Sequence, residues 1–392
     1  MQSDGAANSE DERRPRTEGP SASRAWGHVG ASLRPWLMLL LVCALFSLHP
    51  EFRGAFWRRE YLVDVVGQSA RNIVLAVGLT FVILTGGIDL SVGSVLALSG
   101  VGIAMALTGT PRLPVWMAAL AALPPAVLAS ALMVRAVRTE SRSLRWLAGG
   151  CACILVDGAV AALLWRGTAG GVKVEAAVAI GLCVGLGCGL VNGAIVSVWR
   201  VPSFVATLGM MSAARGLTLY ATGSQSVSVP FERFRALGEG APLLVVTLVV
   251  VAAGALLLGR FRAGRYVLAI GGNEQAALLS GVPVAAHKTL AYALSGICAA
   301  IGGLLITAKF GTANTGAGTG AELEAIAAVV IGGASLSGGK GTIVGALVGA
   351  LTITVITNGL VLVGIEPNLQ QVILGGVIVA TVFVDQLRRR GG

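Results

Sequence analysis

Charge is scarce in this chain. Asp, Glu, Lys and Arg make up 12% of its 392 residues against 55% hydrophobic ones, and the mean hydropathy is +0.81. That leaves too little polar surface to coat a soluble globule, so the chain reads as an integral membrane protein. Histidine is scarcer still: His28, His49 and His287 lie far apart, with no nucleophile elbow and no paired carboxylates in a soluble pocket. Enzymatic chemistry has nothing to stand on. The six cysteines (Cys43, Cys151, Cys153, Cys183, Cys188, Cys298) sit mostly in apolar runs without the companion His, Asp or Glu of a metal site, and read as small packing residues. No phosphate cradle is visible either. "GGASLSGGKGT" (332–342) invites a P-loop reading, but Ala334 stands where that motif needs a glycine and Gly341 where it needs Ser or Thr. The chain is therefore expected to hydrolyse no ATP itself and to carry no cofactor. The net charge of +10 does not point to nucleic acid, because the basic residues are scattered at helix ends.

What the chain has instead is long apolar runs. "PLLVVTLVVVAAGALLLG" (242–259) is apolar on every side, as a membrane helix allows, whereas a β-barrel strand would alternate. Twelve candidate spans fall at about 33–49, 62–86, 90–108, 113–134, 146–165, 174–199, 203–221, 241–259, 287–307, 322–337, 341–363 and 368–387. Small residues let membrane helices approach closely and neighbours can satisfy interrupted backbone, so 55 glycines and 13 prolines predict a tightly packed bundle with broken helices. Residues 1–32 hold no apolar core behind basic residues and read as a disordered cytoplasmic tail rather than a cleaved signal. An even span count puts both termini on one side. That side collects 18 Lys and Arg against 9 opposite, with Arg71 and Arg215 inside or beside spans. By the positive-inside rule both termini and the polar segment 260–288 are cytoplasmic.

The pattern G-x-x-L-S-x-G occurs twice, as "GIDLSVG" (87–93) and "GASLSGG" (333–339). Gly86, Gly87 and Gly93, and again Gly332, Gly333, Gly338 and Gly339, are expected to break helices, as a duplicated transporter half would at corresponding places. Two unrelated glycine-rich breaks are the plain alternative. Between the first set sits Asp89, an acid in otherwise apolar surroundings. It either caps the N–H groups of a helix that starts within the membrane, with Ser91 beside it, or lines a wet cavity and meets a polar solute. Asp157 is the other mid-span acid beyond the motif regions, and Glu322 and Glu324 stand apart from both in sequence. Glu322, at a span start, reads as a helix-end cap. Asp89 and Asp157 keep an ion-coupled secondary transporter open as the alternative function.

Together "GGIDLSVGS" (86–94), "VPSFVATLGM" with "ARGL" (201–217), "GRYVLAIGGNEQAALLSGV" (264–282) and "AELEAIAAVVIGGASLSGGKGTIVGALVGA" (321–350) resemble the membrane permease subunits of bacterial ABC importers for monosaccharides, of the ribose, xylose and galactose type within the branched-chain permease superfamily. The resemblance covers roughly residues 60–388. It implies an all-α, polytopic membrane bundle of about 10 to 12 transmembrane helices, type II-like, with a permease domain over 33–388. Because the family has about ten spans, residues 109–173 are expected to be a two-helix insertion, its helices joined by the basic loop "RAVRTESRSLR". It implies a pathway for a small sugar handed over by an extracytoplasmic binding protein at the bacterial inner membrane. A second permease copy or homologue and two ABC ATPase subunits are the other partners, beside lipid. By this resemblance 260–288 carries the ATPase-coupling helix, with Arg265, Gly272, Asn273, Glu274, Ala276, Ala277 and Gly281 as its residues. Physically, Asn273 can cap a short helix that Gly281 and Pro283 end. Asp89, Ser91, Ser94, Asn192, Ser203, Thr207 and Asn358 are the candidate pathway residues. Ser203 and Thr207 share a helix face, and such hydroxyls also commonly bond their own helix or a neighbour.

Overall fold

The computed structural model describes residues 22–48, 54, 57–109 and 172–390. Among these residues the chain is almost wholly helical. In order come α1 (Ala22–Leu48), α2 (Arg59–Leu84), α3 (Val92–Thr108), α4 (Val174–Ser197), α5 (Ser203–Thr222), β1 (Val227–Ser228), the one-turn α6 (Glu232–Arg235), α7 (Gly240–Gly259), α8 (Arg262–Gly272), α9 (Glu274–Leu279), α10 (Val284–Phe310), β2 (Thr312–Ala313), α11 (Ala321–Ile331), α12 (Ile343–Leu362) and α13 (Pro367–Arg390). Five of them, α2, α4, α7, α10 and α12, are long and apolar enough to cross a membrane by length and composition. The all-α membrane bundle expected from the sequence is the architecture observed.

At the centre stands α10, packed against α2, α3 and α4. Glycine makes that packing possible. A Cβ on Gly185, Gly189 or Gly193 of α4 would run into the backbone of Gly296, Tyr292 or Thr289 on α10, and one on Gly303 would strike the Leu96 carbonyl of α3. In lipid no water-driven force separates helix from solvent, so close van der Waals approach between small residues holds the bundle together. Outward faces stay apolar: on α7, Val245, Leu248, Val249 and Leu256 are exposed.

Three features depart from the sequence reading. The span expected at 322–337 is a half-helix: α11 has 11 residues, about 16 Å at the usual rise, and then a loop reaches to residue 342. A window of apolar residues cannot see this, because the loop's alanines and glycines score like helix. Second, α1 begins at Ala22, so residues 22–32 are helical rather than part of an unordered tail; residues 1–21 lie outside the described residues. Third, β1 and β2 pair antiparallel, Val227 with Ala313 and Ser228 with Thr312. Strands of two residues carry no period to read. The predicted spans at 113–134 and 146–165, the helix-pair insertion they form, and Asp157 fall outside the described residues.

Candidate functional site

The first break lies between α2 and α3. After Leu84 the chain turns at Gly86, whose φ of +76° is left-handed backbone that a side chain resists, and runs without regular structure to Val92. Asp89 sits within this segment and is 1% exposed. Its Oδ1 accepts from the Ser91 N–H at 3.0 Å and the Ser91 hydroxyl at 2.6 Å, and its Oδ2 from the Ser295 hydroxyl of α10 at 2.8 Å. Asn192 of α4 donates to Ser91 Oγ at 2.9 Å. One residue back, the Ile88 N–H donates to Ser203 Oγ at 3.2 Å, while its carbonyl lies 3.3 Å from Thr207 Oγ1 and 3.5 Å from the Tyr292 hydroxyl. A carboxylate removed from water needs donors on both oxygens, and here it has them. Three helices, α4, α5 and α10, thus clamp one unwound segment by side chains.

The second break, 332–342, is held differently. Gly339 N–H donates to the Leu84 carbonyl at 3.0 Å and Ser335 N–H to the Lys340 carbonyl at 2.8 Å. Its Gly338 approaches so close that a Cβ there would lie 2.9 Å from the Gly86 nitrogen and 2.8 Å from Gly271 Cα. The two copies of the motif therefore meet in space, at the same end of the bundle. Gly271, in the last turn of α8, is wedged between them: a Cβ on it would overlap both the Leu84 carbonyl and the Gly339 nitrogen.

From that wedge a hairpin projects. Asn273 ends α8 and caps α9, its Oδ1 accepting the Ala276 N–H at 2.9 Å, and Gly281 follows with φ +81°. Glu274 is tied to Lys288 at 2.6 Å. The inner side of α9 is Ala277, buried with Ile270, Val282 and Val284. Its outer side presents Ala276, Leu278 and Leu279, the last 89% exposed. Arg265 and Gly272 are exposed as well. The short helix therefore offers two leucines to its surroundings at its tip.

The structure thus brings Asp89, Ser91, Asn192, Ser203 and Thr207 together. Ser94 is buried on α3 one turn further along. Asn358 stands apart, bonded through Nδ2 to the Thr354 carbonyl of its own helix at 3.0 Å, next to a glycine that packs on Phe46 of α1. Thr207 also bonds its own helix, at the Ser203 carbonyl, 2.9 Å away. Of the two roles read for Asp89, the carboxylate does accept a backbone N–H just ahead of α3, that of Ser91, although Ser91, which immediately precedes the helix, has helical dihedrals and makes no side-chain cap bond. Among the hairpin residues, Ala277 points inward and leaves Ala276 as the outward alanine. Sequence reasoning missed Ser295 and Tyr292, which look like ordinary members of an apolar run, and Leu278 and Leu279, which look like core. It also separated charges that the fold unites: Arg71 pairs with Glu324 at 2.7 Å across 253 positions.

Residues 61–382 match the family described as the branched-chain amino acid transport system permease component. The ribose import permease protein RbsC of Escherichia coli (strain K12) is 35% identical over 371 residues, covering 91% of this chain and 96% of its own. RbsC of Bacillus subtilis (strain 168) is 33% identical over 366 residues, covering 91% and 94%. The D-allose transport system permease protein AlsC of E. coli K12 is 33% identical over 358 residues, covering 90% of each chain. No solved structure matches the chain.

Proposed function

The chain belongs to the family of branched-chain amino acid transport permease components, and on that premise we propose that it forms the membrane pathway of an ATP-driven importer for a small sugar. Relatives named for ribose and allose align over nine-tenths of it, which favours sugar over amino acid and an ATP-driven permease over the ion-coupled alternative. In this reading ATP hydrolysis resides on two separate subunits, a second permease copy or homologue completes the pathway, and an extracytoplasmic binding protein delivers the sugar. Both termini and the 260–288 hairpin face the cytoplasm of a bacterial inner membrane.

The observation that carries the reading is the hairpin and its root. Leu278 and Leu279 stand out from α9, and eight residues before Leu279 the backbone of Gly271 touches both helix breaks at once. A nucleotide-driven push on α9 is then delivered directly to Leu84 and Gly339, the points where α2 and the second break meet. Packed helices with two arrangements can be switched by such a displacement. Asp89, buried and fully bonded, serves as the fixed clamp of the first break rather than as a sugar contact.

The test is reconstitution of the chain with its ATPase and binding protein. Sugar uptake into proteoliposomes requires ATP on the hairpin side and is indifferent to a proton gradient. Leu279→Asp keeps the folded bundle, since that side chain touches nothing inside, but abolishes retention of the ATPase and therefore uptake. Uptake on a proton gradient without any ATPase would overturn the reading.

A further inference from the structure

Beside the Asp89 clamp, and separate from it, four charged side chains gather inside the bundle. Arg71 lies about midway along α2, and its Nη2 is 2.7 Å from Glu324 Oε2 near the start of the half-helix α11. Its Nε donates to Asn72 Oδ1 at 2.9 Å. Glu322, in the same first turn of α11, has Glu324 and Arg215 as charged neighbours. Its carboxylate rests on Gly93, where a Cβ would overlap Oε2. Arg215, in the second half of α5, donates through Nη1 to the Thr315 and Ala317 carbonyls at 2.5 and 3.1 Å.

Charges at the middle of membrane helices are costly against lipid and persist only where they face protein or water. These are not packed away as Asp89 is. Arg71 and Glu324 keep side-chain exposures of 29% and 23%, and Arg215 and Glu322 are likewise only half-buried. They are therefore partly open to their surroundings rather than sealed in a core. Two guanidinium groups and two carboxylates also balance, which leaves no net charge to hold an ion.

We infer that Arg71, Arg215, Glu322 and Glu324 form a polar cradle that contacts a neutral, polyhydroxylated solute as it passes through the pathway. Each hydroxyl of an aldose both donates and accepts. Carboxylates supply acceptors, and each guanidinium carries five N–H donors, of which Arg215 uses only those on Nη1 among the described residues. A cradle with both kinds of group and zero net charge suits such a solute better than it suits a carboxylate, a phosphate or a cation, each of which would meet one repulsive pair. The placement fits the mechanical arrangement too. Glu322 and Glu324 ride on α11, whose far end runs into the second break, so movement of that break shifts half of the cradle against Arg71 and Arg215.

This assignment rests on the reading of the chain as a sugar permease, and the experiment separates the two. The complete importer is reconstituted, and D-ribose, D-allose and D-galactose are offered in turn to its binding protein, with sugar moved and ATP hydrolysed measured together. If the unaltered importer moves none of them with ATP, the sugar reading itself fails. If it does, Arg215→Gln and Glu322→Gln lower sugar moved per ATP on the order of ten-fold, the usual effect of losing a hydrogen bond to a charged group, while binding-protein-stimulated ATP hydrolysis continues. Arg215→Lys, which keeps the charge but not the fork, gives an intermediate ratio and serves where the glutamine variant does not fold. An unchanged ratio in variants that fold, whether or not both activities fall together, overturns the cradle and leaves a purely structural ion-pair network.

Discussion

The two glycine-rich breaks share a motif and a place at one end of the bundle, yet they are fastened by opposite means. The first holds an acid and is gripped by side chains from three helices, with Asp89, Ser91 and Asn192 all buried. The second holds no acid; Gly333, Ser337 and Lys340 are exposed, and it is secured through backbone groups. A repeated sequence pattern thus specifies a place to unwind the helix without specifying what the unwound segment does. In a bilayer the freed N–H and C=O groups must find partners. Inside the bundle those partners are polar side chains, and at its end they are the other break and the hairpin. The buried break can act as a fixed point, and the exposed one can move against it.

The comparison is broken most severely at the one residue both breaks share. Gly271→Ala places a methyl group on the Leu84 carbonyl and the Gly339 nitrogen, and neither is the flexible end of a side chain that can move aside. Overpacking against backbone costs about 1–3 kcal/mol or more, so the expected result is loss of folded protein or of uptake. Gly272→Ala is the matched control for folding: nothing lies within 4 Å of that position, and its melting temperature in detergent should stay at the starting value. Equal behaviour of the two variants would show that the breaks are not joined through α8.

A second contrast, confined to the first break, separates charge from geometry at Asp89. Asp89→Ala strands the hydroxyls of Ser91 and Ser295 and the Ser91 N–H in a dry site, at about 1–3 kcal/mol for each donor left without a partner. Asp89→Asn keeps one carbonyl acceptor and is expected to lose about 1–3 kcal/mol. Melting in detergent reads both. If Asp89→Asn melts like the unaltered chain yet fails to transport, the carboxylate acts in the pathway and the clamp assignment is wrong.

Much of this was legible in the residues. Glycine clusters mark both breaks because few other residues accept their dihedrals and close contacts, and the polar residues Ser91, Asn192, Ser203 and Thr207 stood out against apolar neighbours. The Asn273 cap and Gly281 stop delimit α9 by local chemistry alone. What stayed hidden depends on distance in the chain or on which way a face points. Arg71 and Glu324 carry no mutual signal across 253 positions. Ser295 is one serine in a run of alanine and glycine until α10 is laid beside Asp89. Leu279 reads as core by type, and only the orientation of α9 turns it outward. The half-length of α11 is hidden because hydropathy averages helix and loop together.

The smallest expected effect lies in the exposed break. Lys340 contributes its backbone carbonyl to Ser335, and its side chain extends from the loop with no ion pair among the described residues. Removing it in Lys340→Ala leaves the backbone bond in place, so stability should change by less than about 0.5 kcal/mol, as for surface substitutions away from special features. ATP hydrolysis by the reconstituted importer should be unchanged as well, because the lysine that imitates a phosphate-binding one has no cradle around it. A marked fall in melting temperature would mean that the second break, like the first, is fastened by a side chain, and the contrast between them would disappear.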